Sequence, residues 1–240
     1  MSEMVVFSKI GTLYLNGKPQ KVGVAYNGEQ ISFGPAERGK GIQWIKSGQL
    51  LIADRCVCTD ISWTQLDEQG LVFGIIVQIS GKYYLCRCPK VGVEGGPPTN
   101  EWDTAIRAIG ADNSVWHWEE MWFWGQEHPP QLPGYGMLRG YSSASYFGYN
   151  AIQFKTSYVG WRPVLEYMGD APNNPHDLVN KDIRLYGPGG VNISGRLMGV
   201  DDYDLALFTS SPLPGNCTWA EQKGDSMIVD RGSVLWLGEV

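Results

Sequence analysis

Residues 139–163 read RGYSSASYFGYNAIQFKTSYVGWRP. The segment holds Tyr141, Tyr146, Phe147, Tyr149, Phe154, Tyr158 and Trp161, threaded with Ser, Asn, Gln and Lys. A half-buried strand alternates ring and polar side chain, and YSSASYFGYN does not; helical spacing fails as well. Tyr, Ser, Asn and Gly are the vocabulary of contact loops. Tyr offers large contact area at small entropy cost, while Ser and Asn adapt their hydrogen bonds. Gly140, Gly148 and Gly160 permit sharp changes of direction. Arg162, held extended by Pro163, is placed to anchor a frame through backbone carbonyls or a carboxylate. The competing reading is the edge of an aromatic core. The missing alternation favours a binding surface.

Upstream lies VWHWEEMWFWGQEHPPQLPGYG, 115–136. Read as one strand, Trp116, Trp118, Trp122 and Trp124 would line a single face, as an aromatic core or as a rigid platform. His117 and His128 have no third ligand at metal-site spacing and read as ordinary polar residues. NEWDTAIRAIG, 100–110, spaces Trp102, Ala105, Ile106 and Ile109 as a helix, with Asn100 as N-cap and Gly110 as stop. VGVEGGPPTN, 91–100, is a loop. Residues 4–34 alternate and carry the turn signals NGK and YNGE, predicting a β-meander or a pair of hairpins. GKGIQWIKSGQLLIADRCVC, 39–58, predicts further strands broken at SGQ. ISWTQLDEQGLVFG predicts one helical turn, and GIIVQI and KYYLCRC a strand pair joined by SGK.

The chain has 240 residues, 43% hydrophobic and 18% charged, with 31 glycines and 10 tryptophans. That glycine content with short apolar runs favours a strand-rich fold. A net charge of −6 and pI near 5.1 disfavour a generic phosphate-backbone binder. MSEMVVFSKIGTLYL lacks a signal-peptide pattern, and no apolar run reaches the roughly 18 residues that span a bilayer. A cytoplasmic or virion location, away from membranes, is expected. Cys56, Cys58, Cys86, Cys88 and Cys217 include two C-x-C pairs. Structural zinc sites space their pairs wider, so buried reduced thiols on alternating strand positions are expected instead. No cofactor is implied.

Several motifs carry a family resemblance: NEWD (100–103), VWHW (115–118), FWGQE (123–127), RGYSSASYFGYN (139–150) and VGWRPVLE (159–166). In this order, with IADRCVCTDISW and YLCRCPKVG before them, they resemble the C-type-lectin-like domain of variable proteins diversified by retroelements in phages and bacteria. Formylglycine-generating enzymes share that fold. The resemblance covers about 40–168. It implies a fixed frame of Arg139, Gly140, Gly148, Gly160, Trp161, Arg162 and Pro163. It implies rewritten, ligand-contacting positions at Tyr141, Ser143, Ser145, Tyr146, Phe147, Tyr149, Asn150, Gln153, Lys155, Ser157 and Tyr158. Catalysis is not expected: no Cys lies between 89 and 216, G-x-S-x-G is missing, and Glu119, Glu120 and Glu127 read as polar trim on the Trp run. Calcium is not implied either.

Past GDAPNNP (169–175), HDLVNKDIRLYGPGGVNISGRLMGVDDYDLALF and IVDRGSVLWL resemble the Sm-like fold of RNA-associated ring proteins. Gly195 would sit at the bend of a strand, Asp201 in the next turn, and Arg231–Gly232 in the second Sm motif. Leu205 stands where many relatives place a base-contacting Asn. Five basic against nine acidic residues from 175 onward, net −4, disfavour RNA. Assembly into a homo-oligomer is the implied alternative, with avidity as its gain. Residues 212–225 read as an inserted loop.

The expectation is an α+β, strand-rich chain: a C-type-lectin-like ligand-binding domain with an N-terminal β-meander over 1–170, and a small Sm-like β-barrel over 176–240. The partner would be a protein or other macromolecule. The alternatives are an RNA-associated protein and a structural phage or particle component.

Overall fold

The computed structural model describes residues 6–97 and 99–240. Residues 4–5 of the expected meander and Pro98 of the 91–100 loop lie outside them. The chain is strand-rich with few helices and divides into two compact units, one ending at Met168 and one spanning Gly169–Val240.

In the first unit, β1 (Phe7–Leu15) and β2 (Lys18–Pro19) form the hairpin that NGK predicts. Asn16 and Gly17 both take positive φ, 46° and 72°, the twist a two-residue hairpin needs. After β3 (Val24–Ala25) come β4 (Ile31–Gly34), β5 (Gly41–Ser47), β6 (Leu50–Ala53) and β7 (Cys58–Thr59). YNGE does not close a second hairpin. β3 instead pairs in parallel with β7, while β4 returns to β1. The break at SGQ joins β5 and β6 as expected.

Helix α1 (Trp63–Glu68) starts with a capping box in which Ser62 and Gln65 satisfy each other's backbone N–H. β8 (Ile75–Ile79) and β9 (Lys82–Arg87) pair through Ser80–Gly81, both at positive φ. Helix α2 (Glu101–Ile109) begins at Asn100, whose side chain accepts from the Asp103 N–H, and ends at Gly110 with φ 100°. Next come α3 (Asn113–Trp116), β10 (Trp122–Trp124), β11 (Tyr135–Gly140), β12 (Ser143–Ala151), β13 (Val159–Trp161) and β14 (Val164–Gly169).

The tryptophan run is not one strand. Asp112 caps α3, and His117 and Glu120 take positive φ (45° and 54°), so the chain turns twice before β10. Trp116 enters one core beside Trp102 and Phe123, while Trp124 enters another with Trp44, Trp63 and Trp161. Trp118 and Trp122 stay half-buried.

One sheet runs β2-β1-β5-β6-β14-β9-β8, with β4 also on β1; the other runs β12-β11-β10-β13-β7-β3. β11 separates the two cores, since Leu138 faces one and Met137 the other. β12 has β11 as its only strand neighbour among the described residues.

The second unit opens on a single 3-10 turn (Pro175–Leu178) and continues through β15 (Asp182–Tyr186), β16 (Asn192–Val200), β17 (Asp204–Phe208), β18 (Ala220–Lys223) and β19 (Ser226–Asp230). A 3-10 turn (Arg231–Ser233) then leads to β20 (Trp236–Glu239). The order is β18-β19-β17-β16-β15-β20, around Leu185, Leu197, Leu205, Leu207 and Val229. Residues 212–225 are not purely a loop. They supply β18, which folds back on β19 through Gly224, and the buried Trp219.

Candidate functional site

The opening stretch maps onto the end of β11, all of β12, the loop 152–158 and β13. A side chain added at Gly140 would meet the Met121 carbonyl oxygen at 2.4 Å. Gly140 and the following Tyr141 both take positive φ, 108° and 68°. That conformation is costly for a bulky residue. Backbone bonds stabilise it: the Tyr141 N–H donates to Trp118 O at 2.9 Å, and its carbonyl accepts from Glu120 N–H at 3.0 Å. The tight turn projects the Tyr141 ring back over β10.

There it lies parallel to Trp122, with centroids 5.4 Å apart and planes 11° apart. Tyr146 approaches the same indole at 5.4 Å, and Tyr158 meets Tyr141 edge-on at 6.1 Å. Trp122 lies over Gly148, where a Cβ would meet its ring at 2.6 Å. Only glycine leaves room for the indole to lie that low. Two phenols thus rest on one tryptophan floor, and a third, Tyr158, packs against Tyr141. They remain open to solvent, with 39% of Tyr141, 50% of Tyr146 and 44% of Tyr158 exposed.

The other expected residues distribute unevenly. Tyr149, 50% exposed, lies across β12 from this cluster and meets Tyr135 at 6.0 Å. Ser143 and Ser145 face each other at 3.4 Å between hydroxyl oxygens. Phe147 is half-buried beneath the Arg139 guanidinium, 3.7 Å from its centroid. Asn150 accepts from the Ala151 N–H at 2.9 Å, a local role. Gln153, Lys155 and Ser157 are exposed on the loop. Trp122, one of the four tryptophans of the platform alternative, and Tyr135, a ring between Gly134 and Gly136, join the surface without having been among the expected contact positions.

Buried cations stiffen the support. Arg162 donates to Ala53 O (3.1 Å), Asp54 O (2.8 Å) and Trp116 O (2.6 Å). Burial lowers its pKa to about 10, partly offset by Cys56 and Asp54. Arg139 donates to Val91 O at 3.0 Å and pairs with Asp103; burial pulls it down while Asp103 holds it up. Glu127 accepts from the Val91 and Gly92 N–H groups at 3.0 Å each. His117 sits 2.8 Å from Arg55 and His128 2.7 Å from Tyr135 O. No family model, curated protein or solved structure matches the chain.

Cys56, Cys58, Cys86 and Cys88 are all buried. Burial drives their thiols up, Cys56 to about 11 and the other three further. Cys58 lies in β7 and Cys86 in β9, while Cys56 and Cys88 fall just outside strands. Among the described residues, no group of three or more His, Cys, Asp or Glu is placed to hold a metal ion.

Proposed function

We propose that this protein binds a macromolecular ligand, without chemistry, through the aromatic and polar surface on β12 and the adjoining turns. The observation that carries the reading is the exposed cluster in which Tyr141 and Tyr146 pack on Trp122 and Tyr158 packs on Tyr141, with the Trp122 floor held by β10 and Gly148. Rings with two rotatable side-chain bonds, already packed against a support, lose little entropy on binding. Their hydroxyls remain available for a partner. We read the scaffold as C-type-lectin-like and the patch as a diversified one. Support comes from the division of labour: the frame residues Arg139, Trp161 and Arg162 are wholly buried, whereas most ligand-contact candidates are exposed.

For the second unit we propose a Sm-like barrel that multimerises the chain. The succession of an opening 3-10 turn, strands and a 3-10 turn at Arg231–Ser233 before β20, with β20 pairing back on β15, supports it. Gly195 lies mid-strand in β16, where an added Cβ would meet Phe208 O at 2.8 Å, and the register of β16 against β17 shifts just beyond it, between Leu197 and Gly199. Arg231 donates to Asp201 O at 2.8 Å, which occupies it structurally and weakens the RNA reading.

Two measurements test the proposal. Replacing Tyr141, Tyr146 and Tyr158 together by Ala should leave the melting temperature within a few degrees, because exposed rings contribute little burial; a collapse would mean a core edge. The neighbouring DNA should hold a reverse-transcriptase gene and a near-copy of codons 139–163 that differs at adenines. If that copy is missing, the diversification part fails.

A further inference from the structure

β12 ends its sheet, and its outer edge has a definite hydrogen-bonding pattern. The Ile152 N–H donates to Gly134 O at 3.0 Å, continuing the ladder in which Asn150 faces Gly136 and Gly148 faces Leu138. In an antiparallel pair, hydrogen-bonded and non-bonded positions alternate. Residues 148 and 150 therefore bond inward to β11, and the N–H and C=O of Phe147, Tyr149 and Ala151 point away from it. Ala151 is satisfied locally, through Asn150 Oδ1 and the Phe154 N–H. Further back, Ala144 O accepts from the Trp102 indole at 2.7 Å. Between these two closures, Phe147 and Tyr149 present four backbone groups that face away from β11, on an edge with which no other strand pairs among the described residues.

Edge strands are normally protected by Lys, Pro or an inward charge. SASYFGYNA, the whole of β12, has none of these, and its one irregularity against β11 falls between Ser143 and Phe147, ahead of the window. Side chains also flank the open window on both faces: Tyr146 with Trp122 on one, Tyr149 on the other. Beside Tyr149 is a cleft of about 200 Å³ walled by Val93, Glu94, Pro130, Leu132 and Met137.

Resting on the recognition reading above, we propose that the ligand is engaged as an extended polypeptide segment of another protein that adds a strand to the free edge of β12. Its backbone would bond to Phe147 and Tyr149. Alternate side chains would fall against Tyr146 and Trp122 on one face and into the Tyr149 cleft on the other. A second copy of this chain suits the edge less well. Antiparallel self-pairing about Gly148 would bring both Glu94 carboxylates to the same face of the joined sheet, whereas Glu94 on the cleft wall suits a basic side chain.

The test selects linear decapeptides from a displayed library on the full chain and measures their affinity by titration calorimetry. Tyr149→Ala removes the ring but keeps the backbone donor. Tyr149→Pro removes both, and the lost N–H faces outward, a position where strands tolerate proline. The Pro variant should bind at least tenfold more weakly than the Ala variant, with both melting cooperatively. N-methylation along the peptide should abolish binding at every second residue, a readout that holds even if Tyr149→Pro misfolds. Equal affinities for the two variants, or indifference to N-methylation, would overturn strand addition. If binding were still lost on replacing Tyr141 and Tyr146, the recognition surface itself would stand. A library that yields no binder, or dimerisation of the free chain that Tyr149→Pro abolishes, would also overturn the proposal.

Discussion

Arg162 donates to the carbonyl oxygen of Trp116 at 2.6 Å across 46 residues of chain. The same guanidinium satisfies Ala53 O and Asp54 O, so one cation ties the end of α3 to the segment between β6 and β7. Deleting it leaves buried acceptors without donors, each costing about 1–3 kcal/mol. Arg162→Ala should therefore destabilise the first unit by about 3–5 kcal/mol in urea unfolding. Arg162→Lys should recover only part of that loss, because an ammonium cannot fork.

The floor under the tyrosines depends on a missing side chain. Gly148→Ala would drive a methyl against the Trp122 ring, where the contact is 2.6 Å. The expected cost is about 1–3 kcal/mol of overpacking. The near-ultraviolet circular dichroism of the Trp122–Tyr141 stack should weaken with it. An unchanged spectrum would show that the indole has another place to rest.

Alkaline pH should unfold the first unit. The folded-state pKa values of Cys56, Cys58, Cys86 and Cys88 are raised above those of the unfolded chain, so the folded state keeps protons that the unfolded state releases. Their stabilisation is complete below about pH 8.5 and declines as pH climbs toward the folded values. Cys56 alone, rising from 9.0 to about 11, accounts for roughly 3 kcal/mol at its limit. The melting temperature should drop steadily between pH 8.5 and 11, less steeply in Cys56→Ala.

Thiol labelling gives an independent check. Cys217 is half-exposed while the other four are buried. In native buffer, an aromatic disulfide reagent should titrate about one thiol quickly, and the rest only after denaturant is added. Rapid release of five equivalents would contradict the buried assignment.

A fragment covering Gly169–Val240 should fold by itself, since it encloses its own core of Leu185, Leu197, Leu205 and Val229. Cooperative urea unfolding reported by Trp219 and Trp236 is the expected result. Leu205→Asn in that fragment should abolish the transition or shift it by about 3 kcal/mol or more, because the position is fully buried and an amide there finds no partner.

Much of this architecture was legible one turn at a time. Asn16–Gly17, Ser80–Gly81, the helical turn after Ser62 and the Asn100-to-Gly110 helix were readable because each is decided by bonds within a few residues. The ring-and-hydroxyl composition of 141–158 was legible too, and Tyr141, Tyr146, Tyr149 and Tyr158 are exposed in the structure. The tryptophan run was misread, since its alternation ignored the left-handed turns at His117 and Glu120 that send Trp116 and Trp124 into different cores.

The sequence by itself determined the local turns, the strand-rich class, and the ring-and-hydroxyl character of residues 141–158. Tertiary structure alone decided that β3 runs beside β7 and β10 beside β13, and that Trp122, rather than any neighbour in the chain, carries Tyr141 and Tyr146, with Tyr158 packed on Tyr141. The reason is energetic. Such pairings join segments tens of residues apart, and they form only when many buried groups together outweigh the entropy of closing the chain between them.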